Sequence, residues 1–331
     1  MESSFMPGFA DLPARLPALR RRNLLTKATR AFFEARDYTE VETPYAVPVP
    51  GEDVHVKCFR TEQIGTDGTR TPLWLHTSPE FAMKTLLAGG LGRIFQLARV
   101  WRNEEGSATH APEFTLLEFY RPGATMDDLI AELFALLRAV LPPAVTCRGV
   151  SMSLARFERL SVAEAFERHV GADLLGTADD APALAAQAGA RLRSGENWED
   201  LFFRLLLERV EPHLGRDCPT FLTHWPVAQA ALARQCPDDP RVAERFELYG
   251  CGMELANAFI ELTDPAEQRA RFMADRARRH VLYGGPDWDM DEAFLAALAH
   301  GLPACGGVAM GFDRLAMIAA GADEITLVKW L

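Results

Sequence analysis

Apolar positions recur at helical spacing over residues 20–36, where Leu24, Ala28, Ala31, Phe32 and Ala35 line up behind a strongly basic start. That period predicts an amphipathic helix. Residues 38–41 alternate like a short strand, after which Pro44, Pro48, Pro50 and Gly51 break the chain into a loop. A further strand is expected over 73–76. It runs into Thr77-Ser78-Pro79-Glu80, where Ser78 suits a helix cap, Pro79 the first helical position and Glu80 the positive dipole end, with Gly89-Gly90 as the stop. Residues 93–102 and 112–121 read as strands joined by the polar segment 103–111, a long-looped antiparallel hairpin. A helix follows over 127–140, and 151–215 reads as mostly helical, its Ala-rich run 181–190 forming a surface helix. Strand character returns at 220–224, 246–262 and 307–309. Strands in the first and last thirds with helices between them predict an α+β fold, an antiparallel sheet flanked by helices.

Composition narrows the class without naming a function. The chain has 331 residues, 48% hydrophobic and 24% charged, which is enough to bury a substantial core and excludes disorder. Its longest apolar stretch, 129–145, is interrupted by Glu132, Arg138 and Pro142, short of the roughly 18 apolar residues a membrane span needs. The first residues lack a basic segment followed by an apolar one, so a cytoplasmic protein is expected. Six cysteines without a CxxC pair argue against a zinc site and a disulfide framework. A net charge of −11 disfavours indiscriminate binding to phosphate backbones, while leaving room for a local basic groove.

Four constellations carry candidate chemistry. On the strand over 112–121, Phe114, Leu116, Glu118 and Tyr120 share one face and Thr115, Leu117 and Phe119 the other. With Arg102, Glu104 and His110 nearby, the first face could cradle a nucleotide, rings for the base and guanidinium for phosphate; the alternative is a half-exposed strand with solvated charges. A hairpin turn at Gly250-Cys251 would set Glu247 opposite Glu254, about 5 Å apart at Cβ, an acid pair that a divalent cation would relieve. A turn one residue away would shift that pairing and leave both acids in solvent. In GGVAMGFDRL, residues 306–315, glycines lead from a strand into a helix near Gly311, and Arg314 falls in the first turn, where a cation is unfavourable for the helix itself. Glu261, an isolated strand glutamate, is usually solvated.

Taken in order, these segments resemble the three motifs of class II aminoacyl-tRNA synthetases. Residues 20–45 resemble motif 1, WRNEEGSATHAPEFTLLEFY within 93–121 motif 2, and GVAMGFDRL within 306–321 motif 3, with a helical insertion over about 125–215 between the last two. TSPE at 77–80, HAPEF at 110–114 and ERFELYGCGMELANAFIELTDP at 244–265 resemble the lysine branch. Lysyl-tRNA synthetases carry an anticodon-binding domain before motif 1. Here motif 1 begins near Arg20, so a single catalytic domain over 1–331 is expected, similar to the elongation factor P–lysine ligase family. Ala309 points the same way: those ligases have alanine where the synthetases have glycine, associated with preference for (R)-β-lysine.

The resemblance implies ATP-dependent activation of lysine or (R)-β-lysine as an adenylate, then transfer to the ε-amine of a lysine on elongation factor P. It implies Arg102 and Arg314 on the phosphates as catalytic groups, Glu104 on the adenine amino group, Phe114 stacked on the ring and His110 on the outer phosphates. Asn103, Ala111, Leu248 and Gly311 would complete the ATP contacts, and Glu247 and Glu254 would hold Mg2+, Glu254 also meeting the amino acid. Ser78 and Glu80 would receive one ammonium of the amino acid, and Tyr120 and Glu261 the other. Ala111 stands where the family generally has asparagine, and Ala258 replaces a usual glycine. A homodimer through motif 1 is expected and tRNA is not an expected partner; the rival readings are a minimal lysyl-tRNA synthetase and a non-catalytic synthetase paralog.

Overall fold

The computed structural model describes residues 11–285 and 288–330. Helix α1 (Leu12–Glu34) extends the expected helix toward the N-terminus, with Pro13 in a first turn that needs no N–H. Its buried side carries Leu19, Leu25, Phe32 and Phe33, but also Arg15 and Arg22. Short strands β1 (Thr39–Glu40) and β2 (Ala46–Val47) follow, then a hairpin of β3 (Phe59–Ile64) and β4 (Arg70–Leu75) that pairs with β2 as a separate three-stranded sheet. Helix α2 (Glu80–Ala88) begins one residue later than Pro79 suggests; Pro79 is the cap, and the Ser78 hydroxyl still accepts the Glu80 N–H at 3.1 Å.

The hairpin of β5 (Ile94–Trp101) and β6 (Glu113–Pro122) forms as expected, followed by α3 (Met126–Val140). Over 151–215 the structure departs from a mostly helical reading. Helices α4 (Val162–His169), α5 (Ala181–Gln187) and α6 (Trp198–Leu205) are there, but β7 (Ala144–Cys147), β8 (Val150–Ser153) and β9 (Glu158–Ser161) precede them. The strands are four residues each, too short for their alternation to stand out. The remaining elements are β10 (Thr220–Pro226), β11 (Val242–Gly250), β12 (Met253–Ile260), α7 (Pro265–Tyr283), α8 (Glu292–Gly301), β13 (Cys305–Gly311) and α9 (Phe312–Ala320).

Eight strands form the main sheet in the order β1-β5-β6-β13-β12-β11-β10-β9. Its interior is antiparallel as expected, but both edge pairs, β1 with β5 and β9 with β10, are parallel. One face packs on α1, α3 and α9. Leu117 and Phe119 of β6 lie in that core with Phe33 and Phe95, whose rings stack at 4.8 Å. Helices α4–α6 close a second core with Trp225 and Tyr249. No helix among the described residues is long and apolar enough to cross a membrane.

Candidate active site

Alternation sends the other side chains of β6 to the opposite face, and pairing across four strands builds rows on it. Glu118, Ala309, Asn257 and Glu247 form one row; Tyr120, Gly307, Phe259 and Arg245 form the next. Over this face lies a cavity of about 670 Å³, within the range of small-molecule sites. Its wall includes Ser78, Glu80, Arg102, His110, Ala111, Phe114, Tyr120, Glu254, Glu261, Gly311 and Arg314, so eleven of the sequence-derived candidates converge.

One end is acidic. The Ser78 and Tyr120 hydroxyls each donate to Glu118, at 2.7 Å, and between them occupy both of its oxygens. Lys84, wholly buried on α2, reaches Glu80 at 2.6 Å and Glu261 at 2.5 Å. Burial, followed by the charge of Glu80, pushes Glu118 up to about 7. Burial pushes Glu261 up to about 8 against the counteracting charge of Lys84. Burial opposes the charge on Lys84, yet Glu261 and Glu80 outweigh it and hold its ammonium above the ordinary range. Glu80 and Glu261 therefore do not stand at separate ends of the pocket, as the resemblance implied; both meet the same lysine. Lys84 and Glu118 complete the cluster. Glu118 was on the face singled out in the sequence, whereas a lysine in the middle of an apolar helix carries no such mark.

The other end is basic. The Arg102 guanidinium sits 5.3 Å from the centre of the Phe114 ring and 4.0 Å from Glu105, and its buried Nε has no hydrogen-bond partner. Arg314, in the first turn of α9 after Gly311, donates to the carbonyls of Glu254 at 2.6 Å and Thr109 at 3.3 Å, and to His110 Nε2. Accepting there leaves His110 with its proton on Nδ1, facing the Ser107 hydroxyl at 2.8 Å. Burial, and then Arg314, hold His110 below its ordinary value, consistent with a neutral ring.

Four candidates lie off the cavity wall. Glu104 has a left-handed φ of 64° that turns it into solvent, and Glu105 takes the inward position instead. Asn103 bridges through its backbone to Lys57 and uses its side chain on the Glu104 N–H. Leu248 points into the core behind the sheet. Glu247 is on the cavity face but is covered: Arg245 and the Tyr249 hydroxyl each hold it at 2.7 Å.

The acid pair is arranged differently from the expected one. The turn is Cys251-Gly252, both with positive φ, so Tyr249 opposes Glu254 and a register shift then sets Glu247 opposite Asn257. Glu247 and Glu254 are thus diagonal neighbours on one face, not a facing pair. They still feel each other: burial and then the charge of Glu254 push Glu247 up to about 7. No three or more acidic, histidine or cysteine side chains among the described residues converge as a metal cage. Mg2+ needs only one or two carboxylates when phosphates and water complete its shell. Glu254, on the cavity wall 3.7 Å from Arg314, meets that requirement, with Glu247 as the neighbouring acid it repels.

Comparison with known proteins agrees with the geometry. A family model described as tRNA synthetases class II (D, K and N) matches residues 13–330. A protein of Hamiltonella defensa subsp. Acyrthosiphon pisum named elongation factor P–(R)-β-lysine ligase is 44% identical over 320 residues, covering 95% of this chain and 94% of its own. Proteins of the same name from Klebsiella pneumoniae and Pseudoalteromonas translucida are 44% and 42% identical, with 94% of each chain covered. The chain belongs to the class II tRNA synthetase family of the D, K and N type and, within it, to the elongation factor P–(R)-β-lysine ligases.

Proposed function

We propose that the chain activates lysine or (R)-β-lysine with ATP and transfers it to the ε-amino group of a specific lysine of elongation factor P. The observation that carries this reading is the polarity of one cavity. A buried acidic end suits a substrate with two ammonium groups, and an arginine-lined end of the same cavity suits a nucleoside triphosphate. In the first step the amino-acid carboxylate attacks the α-phosphorus, forming the acyl-phosphate bond as pyrophosphate leaves. Arg102 and Arg314 then stabilise the charge developing on the phosphates, and the unpartnered Arg102 Nε is a donor already desolvated for that role. Phe114 offers its face to the adenine, and neutral His110 holds the Arg314 fork in place. Glu247 and Glu254 are the residues that would hold Mg2+, which when bound neutralises phosphate charge. In the second step the acceptor amine, having lost its proton to solvent, attacks the acyl carbon; an amide forms and AMP leaves.

Ala309 lines the same cavity, and the resemblance associates an alanine there with (R)-β-lysine, so the test offers both isomers. Residues 1–331 act in this reading as one catalytic domain, and α1 is the element through which two copies would pair. The test is to incubate the protein with ATP and elongation factor P, offering α-lysine and (R)-β-lysine separately, and to weigh the factor intact; a parallel arm offers lysine-accepting tRNA. A gain of one lysyl unit on the factor is expected. No gain with either isomer, or charging of tRNA alone, refutes the assignment.

A further inference from the structure

Lys84 lies buried behind the acidic end of the cavity, on Glu80 and Glu261 of its wall, and the reaction as derived above gives it no task. It is 1% exposed, one helical turn after Glu80, with its ammonium on Glu80 Oε1 and Glu261 Oε2. The groups facing it are Glu80 on α2, Glu118 on β6, Glu261 after β12 and Cys305 on β13, with the Tyr120 hydroxyl bonded to Glu118 beside them. Three carboxylates against one ammonium leave a surplus of two negative charges when all are ionised. That surplus matches a substrate with two ammonium groups. The second oxygen of Glu261 also has a defined direction. Oε1 lies 2.2 Å from where a Cβ on Gly307 would stand, beside the Tyr120 ring, and Gly307 is part of the cavity wall.

Resting on the lysine-activating reading, we infer that Lys84 is a positioning residue of the amino-acid pocket. Its ammonium pins one oxygen each of Glu80 and Glu261, so that Glu261 presents its other oxygen to the cavity. Without that fixed charge the three acids would relieve their repulsion by taking up protons, and a protonated carboxyl is a poor receptor for an ammonium. Lys84 thereby sets both the orientation of the acids and the pH above which they accept a cation.

The experiment uses the full chain with Lys84→Gln, which keeps a hydrogen-bond donor and removes the charge, and Lys84→Arg, which restores it. ATP–pyrophosphate exchange with the preferred lysine isomer is measured between about pH 6 and about pH 9. The expected result for Lys84→Gln is an amino-acid KM about tenfold higher at neutral pH, an acid limb moved up by about one pH unit, and an unchanged KM for ATP. Lys84→Arg recovers most of the loss. A Lys84→Gln protein that melts earlier but keeps the wild-type KM and acid limb overturns the inference and leaves a structural lysine. Should Lys84→Gln fail to fold at neutral pH, its stability deficit must shrink as acid protonates the glutamates; a deficit independent of pH also overturns it. Failure of the wild type to bind or activate any lysine isomer would instead sink the parent reading.

Discussion

Gly307 offers a sharp test of the amino-acid pocket, because one added methyl group reaches both of its walls. A Cβ there would lie 2.2 Å from Glu261 Oε1 and 2.4 Å from Tyr120 Cε1, distances that real Cβ atoms do not show. Neither neighbour can easily step aside. Tyr120 is 2% exposed and tied to Glu118 through its hydroxyl, and Glu261 is equally buried and tied to Lys84. Overpacking of this kind costs about 1–3 kcal/mol of stability. Displacing a ring and a carboxylate from the ammonium site should cost about as much again in binding, roughly 10- to 100-fold in affinity. Gly306→Ala is the matched control. Its Cβ would meet Leu129 of α3 at 2.6 Å, on the opposite face of the same strand, so it strains the core and spares the pocket. Urea unfolding and amino-acid titrations of ATP–pyrophosphate exchange separate the two effects. Both variants should lose stability, and only Gly307→Ala should raise the amino-acid KM. A Gly307→Ala protein with the wild-type KM would refute the placement of the amino acid over this glycine.

Arg22→Met should destabilise the protein by about 3–5 kcal/mol in urea unfolding, because it strands Asp313 of α9, 1% exposed, without the guanidinium now 2.5 Å away; the double variant Arg22→Met with Asp313→Leu should recover much of that loss. Arg314→Lys keeps the charge but loses the fork that spans His110, Thr109 and Glu254, so adenylate formation should fall at least about 100-fold with little change in melting temperature. Glu118 and Glu261 are held at about 7 and about 8 in the free protein, and an ammonium favours their ionised forms. Lysine binding should therefore release protons near neutral pH and weaken as pH falls through 8 and then 7; calorimetry in two buffers of different ionisation enthalpy checks it, and buffer-independent heats would refute it.

What periodicity made legible was the division of labour on β6. Alternation assigned Leu117 and Phe119 to the core and Phe114, Glu118 and Tyr120 to the chemistry, and the structure keeps that division. The glycines and Arg314 around the start of α9 were equally plain. Lys84 was not, because a lysine among Phe81, Met83 and Leu87 looks like the solvent edge of a helix until acids from β6 and β12 enclose it. The choice between Glu104 and Glu105 turned on one left-handed residue in a loop, which alternation does not encode. Helix α7 escaped for another reason. Its buried positions are Gln268, Phe272 and Arg279 rather than an apolar stripe, and its polar side chains work as tethers, with Arg279 donating to the carbonyls of Asp53, Val54 and Val56 and Arg276 pairing with Glu52. Its Asp264-Pro265 start, with Asp264 capping the N–H groups of Ala266 and Glu267, was the readable signal.

The acids of β12 show how a local irregularity can carry the design of a site. Glu254 and Glu261 are seven residues apart, an odd spacing, and a regular strand would send them to opposite faces of the sheet. Both nevertheless border the same cavity. The register explains it: Tyr249 pairs with Glu254 and Leu248 with Ala256, so Leu255 is an extra residue with no partner on β11. From Ala256 onward the alternation is reversed. Asn257 and Phe259 therefore join the face of Glu254 and Glu247, and Glu261 follows them. The later turn at Cys251-Gly252, not the bulge, made the expected facing acid pair a diagonal one, which leaves Glu247 under Arg245 while Glu254 stays open beside Arg314. One inserted residue thus brings Glu254, beside Arg314, and Glu261, beside Lys84, to the same face and the same cavity.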